Sequence, residues 1–251
     1  MNIGIYSPNW VGDAVMALKF IGQLRKKYAG DELIVIAKDW VADIYDNHPL
    51  INKVLPVPTN ELNGVFNTIK TGRSLQKLNL DIFFVLPESF RSAVIAWFSR
   101  SNVRIGFAGQ MRETFLTDRI NLPKEAIHRS EKFIYLLQNG EKAQNFQHVG
   151  ITLRDQEKKW ADKILQENNV KDPIGLLIGS VAKSRSVPIG KWIEILKDKL
   201  ADDNQFVIIG EKRDAVKSQE IIAQVGHDKV ISFCGKHTLR ESIALISQCW
   251  A

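Results

Sequence analysis

Short apolar runs typical of β-strands alternate with longer amphipathic segments along the whole chain. The run Ile82–Leu86 is apolar at every position, as expected for a parallel strand that is buried on both faces. Strands that alternate with helices in this way predict an α/β fold, in which helices cover a mostly parallel sheet.

In the first half of the chain, β-rich runs predict the strands Asn2–Ser7, Glu32–Ala37, Lys53–Val57, Ile82–Leu86 and Val103–Phe107. The amphipathic segments between and after them predict the helices Asp13–Tyr28, Trp40–Asn47, Asn60–Leu78, Phe90–Phe98 and His128–Gln138. The polar stretch Asn139–Gln147 contains Gly140 and predicts a linker. We therefore expect two domains, residues 1–150 and residues 151–251.

The second half repeats the pattern with fewer strands. Its apolar runs predict the strands Ile174–Ile178, Gln205–Ile209 and Val230–Phe233. Its amphipathic segments predict the helices Gln156–Glu167, Gly190–Leu200, Asp214–Gln224 and Leu239–Cys249. An open doubly wound domain usually has about five or six strands, so we expect the second domain to be incomplete.

Composition limits the class of protein. The 251 residues are 45% hydrophobic and 25% charged, which is typical of a globular chain with two modest cores. The apolar runs are too short to span a bilayer, and the start of the sequence does not resemble a secretory signal. Cys234 and Cys249 are interpreted as reduced core residues of a cytoplasmic protein. The net charge of +6 favours an anionic partner such as a nucleotide, an acidic glycolipid or a membrane surface.

The turn between the first predicted strand and the first predicted helix contains Asn9, Gly12 and Asp13. Ligands of open α/β sheets bind at the carboxyl ends of strands, so Asp13 is a candidate for acid–base chemistry. Gly12 would let a substrate approach the backbone closely. The alternative role of Asp13 is structural, because an acid in the first turn of a helix stabilises free backbone N–H groups.

A second candidate site follows the strand Ile174–Ile178 and contains Gly179, Ser180, Lys183 and Arg185. Small residues and cations in such a turn suit a pyrophosphate, which backbone N–H groups and positive charge can hold. The alternative is a solvated basic loop. The sequence lacks the pattern of an ATPase P-loop.

Two further groups have both a functional and a structural interpretation. Asp214 follows a strand and could bind a ribose, or it could cap the helix that it begins. An arginine-rich stretch near Ser89 could face an acidic ligand or form a solvated surface; its members are Arg91, Arg100, Arg104, Arg112 and Arg119.

Several other classes of site have no motif in the sequence. The five His residues and two distant Cys residues do not have metal-ligand spacing, so no metal site is predicted. The glycine fingerprint of dinucleotide-binding proteins and the nucleophile elbow of hydrolases are absent. No nucleic-acid-binding module is recognisable, and we expect no nucleic-acid partner.

Taken together, these motifs resemble glycosyltransferase family 9, the lipopolysaccharide heptosyltransferases, and within it the heptosyltransferase II type. The resemblance runs over nearly the whole chain. Its motifs are Pro8–Ala17, His48-Pro49, Ser89–Ala93, Arg104–Phe107, Arg112, His128, Gly179-Ser180, Lys183, Arg185, Pro188, Trp192, Cys234–Leu239 and Glu241.

The resemblance implies a GT-B fold with two Rossmann-like domains and inverting transfer of L-glycero-D-manno-heptose from ADP-heptose to the lipopolysaccharide inner core. It implies that Asp13 is the general base and that Lys183 stabilises the departing ADP. The donor-binding residues it implies are Gly179, Ser180, Arg185 and Asp214. The acceptor-binding residues it implies are Asn9, Gly12, Ser89, Arg91 and Arg112.

The resemblance also implies partners and a location. The donor substrate is ADP-heptose, the acceptor is an acidic glycolipid, and no metal or other cofactor is expected. We expect a cytoplasmic protein that contacts the inner face of the cytoplasmic membrane transiently. The family continues past the last predicted helix into a further donor-binding segment, so we expect a C-terminally truncated chain with part of the donor site. Two alternatives remain: a catalytically impaired remnant that only binds acceptor or nucleotide, and a related transferase that uses another nucleotide sugar.

Overall fold

A computed structural model describes residues 1–122, 125–137, 149–180, 183–200, 204–226 and 228–250. The chain divides into two compact units, Met1–Thr152 and Leu153–Ala251. Each unit contains a parallel sheet with helices packed on it, which confirms the predicted α/β class. The predicted linker, Asn139–Gln147, lies outside the described residues. No described helix has the length and apolar character needed to cross a membrane.

The first unit has a six-stranded parallel sheet in the order β3-β2-β1-β4-β5-β6. Its strands are β1 (Asn2–Tyr6), β2 (Glu32–Lys38), β3 (Lys53–Val57), β4 (Ile82–Val85), β5 (Val103–Phe107) and β6 (Asp118–Ile120). The chain builds outward from β1 to β3 and then returns to place β4 on the other side of β1. The connection after β1 leads to one side of the sheet, and the connection after β4 leads to the other. Such a reversal leaves a crevice at the carboxyl ends of the two strands, where ligands of such sheets bind.

Helices cover both faces of this sheet. They are α1 (Val11–Lys27), α2 (Asp39–Ala42), α3 (Gly64–Ser74), α4 (Phe90–Phe98) and α5 (Arg129–Tyr135). Phe83 and Val85 of β4 belong to a core cluster that includes residues of α4 such as Ile95. The intervening Phe84 points to the opposite face, where its ring packs edge-on against Phe20 of α1 at 5.3 Å. The centre of the sheet is therefore buried on both sides, as the run Ile82–Leu86 predicts.

Three elements of the first unit differ from the prediction. The predicted helix Trp40–Asn47 is helical only over α2, and residues 43–47 form turns. The predicted helix Asn60–Leu78 is divided into the 3₁₀ turn Thr59–Leu62, helix α3 and the 3₁₀ turn Leu75–Leu78. The break occurs because Asn63 is extended and Gly64 has a positive φ of 80°. Strand β6 was not predicted, since it is short and two of its three residues are exposed, which leaves no apolar pattern to detect.

The second unit has a three-stranded parallel sheet in the order β7-β8-β9. The strands are β7 (Ile174–Leu177), β8 (Phe206–Ile209) and β9 (Val230–Ser232), which confirms the predicted strands with small changes at their ends. The helices are α6 (Asp155–Glu167), α7 (Ile189–Leu200), α8 (Ala215–Val225) and α9 (Leu239–Ile246). Alternate residues of β8 enter two separate clusters, with Val207 against α6 and α9, and Ile208 against α7 and α8.

A partly buried ion pair joins helices α6 and α9 of the second unit. Arg240 donates to both carboxylate oxygens of Glu157, at 2.8 and 2.5 Å. The same carboxylate accepts a hydrogen bond from the backbone N–H of Arg154 and so caps α6. Hydrogen bonding to Arg240 lowers the pKa of Glu157 below its ordinary value. This pair therefore makes the packing of the two helices dependent on the charge of Glu157.

Candidate active site

The hydroxyl groups of Ser7 and Tyr45 form hydrogen bonds at the turn after β1. Ser7 donates a hydrogen bond to the carbonyl of Pro8 at 2.9 Å, and the Tyr45 hydroxyl lies 2.8 Å from the Ser7 oxygen. Both side chains are buried, and burial raises the pKa of Tyr45. A buried hydroxyl pair of this kind fixes the backbone that enters α1. The Asn9–Asp13 turn is thereby placed at the carboxyl edge of the sheet.

Asp13 lies in the first turn of α1, and its partner is a side chain of α5. Its carboxylate accepts a hydrogen bond from Arg129 at 3.1 Å. The other Nη atom of Arg129 lies 3.5 Å from the Glu88 carboxylate, which also forms an ion pair of 2.7 Å with Lys132. We call these four residues the Asp13 charge cluster. It fixes the orientation of Asp13 while leaving 19% of its side chain exposed to solvent.

A cavity of about 510 Å³ opens at the same edge of the sheet. Asn9 from the turn after β1 lines it, together with Ser89 and Arg91 from the turn after β4. The cavity is therefore placed at the crevice that the strand order predicts. Gly12 belongs to the same turn as Asn9 and is exposed, with nothing within 4 Å of the position a Cβ would take. Sequence positions far apart are thus brought together around one opening.

Ser89 begins helix α4 and orients the residues that follow it. Its hydroxyl accepts a hydrogen bond from the backbone N–H of Ser92 at 3.3 Å, which is the usual capping bond of a helix N-terminus. Ser92 in turn donates its hydroxyl hydrogen to the carbonyl oxygens of Ser89 and Pro87. These bonds fix the first turn of α4, and Arg91 projects from that turn.

Arg112 does not line the cavity, in contrast to the expectation of an acceptor contact. Its side chain is fully buried and donates a hydrogen bond to the carbonyl of Pro87 at 2.6 Å. Burial lowers its pKa to about 10, although Glu88 and Glu113 favour the charged form. A guanidinium that packs on Gly106 and bonds to Pro87 supports the turn that carries Ser89 and Arg91.

In the second unit, Asp214 occupies a niche between two glycines. A Cβ at Gly179 would collide with the Asp214 carboxylate, and one at Gly210 would approach its oxygen to 2.9 Å. Asp214 is only 9% exposed, and its carboxylate accepts a hydrogen bond from the backbone N–H of Glu211 at 3.0 Å. The carboxylate thus closes the 3₁₀ turn Lys212–Asp214, and as the N-cap residue of α8 it makes no side-chain capping bond to that helix. Contact of Asp214 with a ribose stays a prediction.

The loop after β7 contains the other predicted donor-binding residues. Ser180 is half-buried, Arg185 is exposed, and Lys183–Arg185 form a 3₁₀ turn. Residues 181–182 lie outside the described residues. Lys217 of α8 donates hydrogen bonds to the carbonyl oxygens of Ile178 and Val187, at 3.2 and 3.0 Å. Sequence reasoning missed this residue, because nothing in its helical context indicates that it joins the two ends of the loop.

No group of three or more His, Cys, Asp or Glu side chains suited to a metal ion occurs among the described residues. The candidate functional side chains among the described residues are acids, cations, hydroxyl groups and the amide of Asn9. In the first unit these converge on the cavity and the Asp13 charge cluster. In the second unit they surround the loop after β7.

Two solved structures with a similar fold are glycosyltransferases by their titles. A family 9 glycosyltransferase from Veillonella parvula matches 99% of this chain and 73% of its own, with a TM-score of 0.89 and 18% identity. The structure of Escherichia coli ADP-heptose LPS heptosyltransferase II matches 99% of this chain and 77% of its own, with a TM-score of 0.82 and 26% identity. The fold is thus that of the GT-B class, of which the chain covers a part, as predicted.

Sequence comparison gives the family. The profile of glycosyltransferase family 9 (heptosyltransferase) matches residues 68–251. Lipopolysaccharide heptosyltransferase 2 of Escherichia coli is 25% identical over the whole of this chain, which covers 76% of that protein. The chain therefore belongs to glycosyltransferase family 9, and it is a glycosyltransferase.

Proposed function

We propose that this protein transfers L-glycero-D-manno-heptose from ADP-heptose to a hydroxyl group of the lipopolysaccharide inner core, with inversion, and that Asp13 is the general base. The observation that carries the proposal is the position of Asp13. It lies in the same turn as Asn9, which lines the cavity at the crevice of the six-stranded sheet. Its carboxylate is oriented by Arg129 and remains partly exposed. The names of the relatives supply the sugar and the acceptor.

In the proposed reaction, Asp13 accepts the proton of the acceptor hydroxyl while that oxygen attacks the anomeric carbon of the donor sugar. The bond from the anomeric carbon to the phosphate oxygen breaks, and its electron pair leaves with ADP. Asn9, Gly12, Ser89 and Arg91 position the acceptor at the cavity. The buried Arg112 acts on this site only through the backbone of Pro87.

The donor is assigned to the second unit. Gly179, Ser180 and Arg185 follow β7, where backbone N–H groups and positive charge suit a diphosphate. Lys183 is proposed to stabilise the negative charge that develops on the departing ADP. Asp214 is retained as a candidate ribose ligand, although its hydrogen bond to the Glu211 backbone gives it a capping role as well.

The proposal extends to location and partners. We propose a cytoplasmic enzyme that contacts the inner face of the cytoplasmic membrane transiently to reach an acidic glycolipid. ADP-heptose is its donor substrate, and no resident metal or other cofactor and no nucleic-acid partner are proposed. The net charge of +6 is compatible with an acidic acceptor at an anionic surface.

The experiment is a transfer assay with the Asp13→Asn variant, in which ADP release is measured with ADP-heptose and deacylated inner-core oligosaccharide. Loss of a general base costs about 10²- to 10⁴-fold, so we expect a fall in kcat of at least about 100-fold. The control is Asp31→Asn, the same substitution at the N-terminal end of β2, where Asp31 pairs with the terminal ammonium group. It should leave kcat within about twofold of the unchanged protein.

The other outcomes separate the alternatives. An unchanged kcat in Asp13→Asn would overturn the assignment of the base. A folded protein that binds ADP in calorimetry, more weakly after Lys183→Ala, and does not release ADP from ADP-heptose would be a binding remnant. Turnover of a different nucleotide sugar in preference to ADP-heptose would assign another donor.

A further inference from the structure

The cavity beside the Asn9–Asp13 turn contains two cations from different parts of the sheet. Lys38 is the last residue of β2, and Arg91 lies in the first turn of α4. Both line the cavity, and the residues that line it include no carboxylate. Sequence analysis had singled out Arg91 but not Lys38, because a lysine at the end of a buried strand has no distinguishing local pattern.

The two cations raise each other's electrostatic free energy. Burial lowers the pKa of Lys38, and the nearby charge of Arg91 lowers it further, against the opposing effect of Asp39. Asp39 is engaged elsewhere, because it accepts hydrogen bonds from Thr59 at 2.8 Å and from the backbone of Trp40 at 2.9 Å. Within the described part of the chain, neither cation forms an ion pair. Two like charges held at one opening attract an anion, because binding relieves their repulsion.

Tyr6 adds a buried hydrogen-bond donor to the same cavity. It is the last residue of β1, it lines the cavity, and only 6% of it is exposed. Among the described residues its hydroxyl has no hydrogen-bond partner. Burial raises the pKa of Tyr6 to about 12, so the hydroxyl keeps its proton at neutral pH and can donate it in a hydrogen bond. The hydroxyl can therefore donate a hydrogen bond to an anion that binds in the cavity.

The rest of the cavity wall is suited to the body of a sugar. Apolar side chains of Leu62, Val65, Phe90 and Val94 line it beside the donors. A volume of about 510 Å³ accommodates a monosaccharide with room for a substituent. Specific sites commonly combine such an apolar wall with a few convergent polar groups.

We propose that Tyr6, Lys38 and Arg91 form an anion subsite that binds a carboxylate or phosphate group carried by the acceptor sugar. The inference rests on the proposed function, in which this cavity receives the acceptor. It makes Lys38 and Tyr6 determinants of acceptor specificity. An acceptor that lacks an acidic substituent at this position leaves both cations without an anionic partner.

The first test is direct binding to the full chain without donor. Methyl glucuronide and glucose 6-phosphate are titrated against methyl glucoside, with binding followed by ligand-observed NMR at low salt. We expect both acidic sugars to bind more tightly than the neutral one, because charge-assisted hydrogen bonds add to the contacts of the ring. The better of the two identifies the acidic group, and competition by inorganic phosphate shows how far the charge alone is recognised. Equal binding of all three sugars overturns the proposal.

The second test uses variants of the subsite. Lys38→Met and Arg91→Met remove one charge each while keeping most of the side chain, and each should weaken the acidic sugar about three- to tenfold, since both cations are partly screened by solvent. Arg91→Lys should retain most of the binding, and Tyr6→Phe should weaken it less than either charge removal. The matched control is Lys70→Met, because Lys70 is an exposed lysine of α3 that does not line the cavity. Binding that is equally weak in the control, or unchanged in the Lys38 and Arg91 variants, contradicts the proposal.

The subsite and the proposed reaction can fail separately. Asp13→Asn removes the proposed base without touching Tyr6, Lys38 or Arg91, so it should leave the binding of acidic sugars intact. If the acidic sugars bind and Asp13→Asn stays active, the subsite stands and the assignment of the base fails. If Asp13→Asn is inactive and Lys38→Met leaves both sugar binding and the acceptor KM unchanged, the base stands and the subsite fails. Unchanged thermal melting of the variants excludes unfolding as the cause.

Discussion

Asp13 and Asp214 both follow a strand, and both lie near the start of a helix in their own unit. Their environments are nevertheless opposite. Asp13 pairs with a side chain from a distant helix and keeps part of its carboxylate accessible. Asp214 is buried between Gly179 and Gly210 and satisfies the backbone N–H of Glu211. The comparison teaches that an acid after a strand is suited to a catalytic role when a side chain orients it and part of its carboxylate stays accessible to solvent. An acid that glycines enclose is suited to a structural role.

The sharpest way to break this comparison is to remove the carboxylate from each of the two acids. Asp13→Asn should lower kcat by at least about 100-fold while leaving the free energy of unfolding within about 0.5 kcal/mol of the unchanged protein. Asp214→Ala removes the capping carboxylate and should destabilise the second unit by about 1 kcal/mol. The transfer assay measures kcat, and chemical denaturation monitored by hydrogen exchange in each unit measures the stability. A large loss of stability in the Asp13 variant would show that its role is structural after all.

An effect smaller than the loss of kcat in Asp13→Asn is expected when the niche around Asp214 is filled. Gly179→Ala places a Cβ against a buried carboxylate, and overpacking of this kind costs about 1–3 kcal/mol. We expect lower stability of the second unit in denaturation. Gly190→Ala is the control, because nothing lies within 4 Å of the position that its Cβ would take. Equal stability of the two variants would mean that Asp214 can move aside at little cost.

In the first unit, the Asp13 charge cluster allows a test of whether Arg129 orients the Asp13 carboxylate. Arg129→Gln should lower kcat about tenfold, because it removes the group that orients the Asp13 carboxylate, while the acceptor KM stays within about twofold. Arg129→Lys should recover part of the loss, since it restores the charge without the planar fork. Arg119→Gln, at an exposed arginine of β6, is the control. A change in KM alone would assign Arg129 to binding.

The smallest expected effect is a dependence of stability on pH in the second unit. The pKa of Glu157 is lowered in the folded state by its hydrogen bond to Arg240. Its contribution to stability is therefore complete above the ordinary pKa of 4.5 and is lost as the pH falls through the lower folded-state value. Unfolding measured between pH 6 and about pH 3 should show a slope that Glu157→Gln reduces. An identical slope in the variant would show that other carboxylates cause it.

Much of the fold could be predicted from the sequence. The central strands of both sheets are continuous apolar runs bounded by turn residues, and their signals are local. Strand β6 and the division around α3 could not be predicted in this way. Strand β6 owes its place to pairing with β5 rather than to its own residues, and α3 begins at a glycine with positive φ inside a helical pattern.

The candidate site was predicted in part. Asn9, Ser89 and Arg91 were identified from motifs, and the structure places them at one cavity. Tyr6, Lys38 and Arg129 were missed, since each lies within an ordinary strand or helix and gains its significance from what faces it. Arg112 was identified, but its burial could not be inferred, because an arginine in a polar stretch is more often exposed.

By itself, the sequence determined the α/β class, the order of the strands along the chain and the presence of an acid at the turn after the first strand. These properties follow from local periodicity and turn chemistry, which act over a few residues. Only the tertiary structure decided which charges meet. The pairing of Asp13 with Arg129, the burial of Asp214 and the approach of Lys38 to Arg91 join residues far apart in the chain. Their free energies depend on distance and on exclusion of water, which no local pattern specifies.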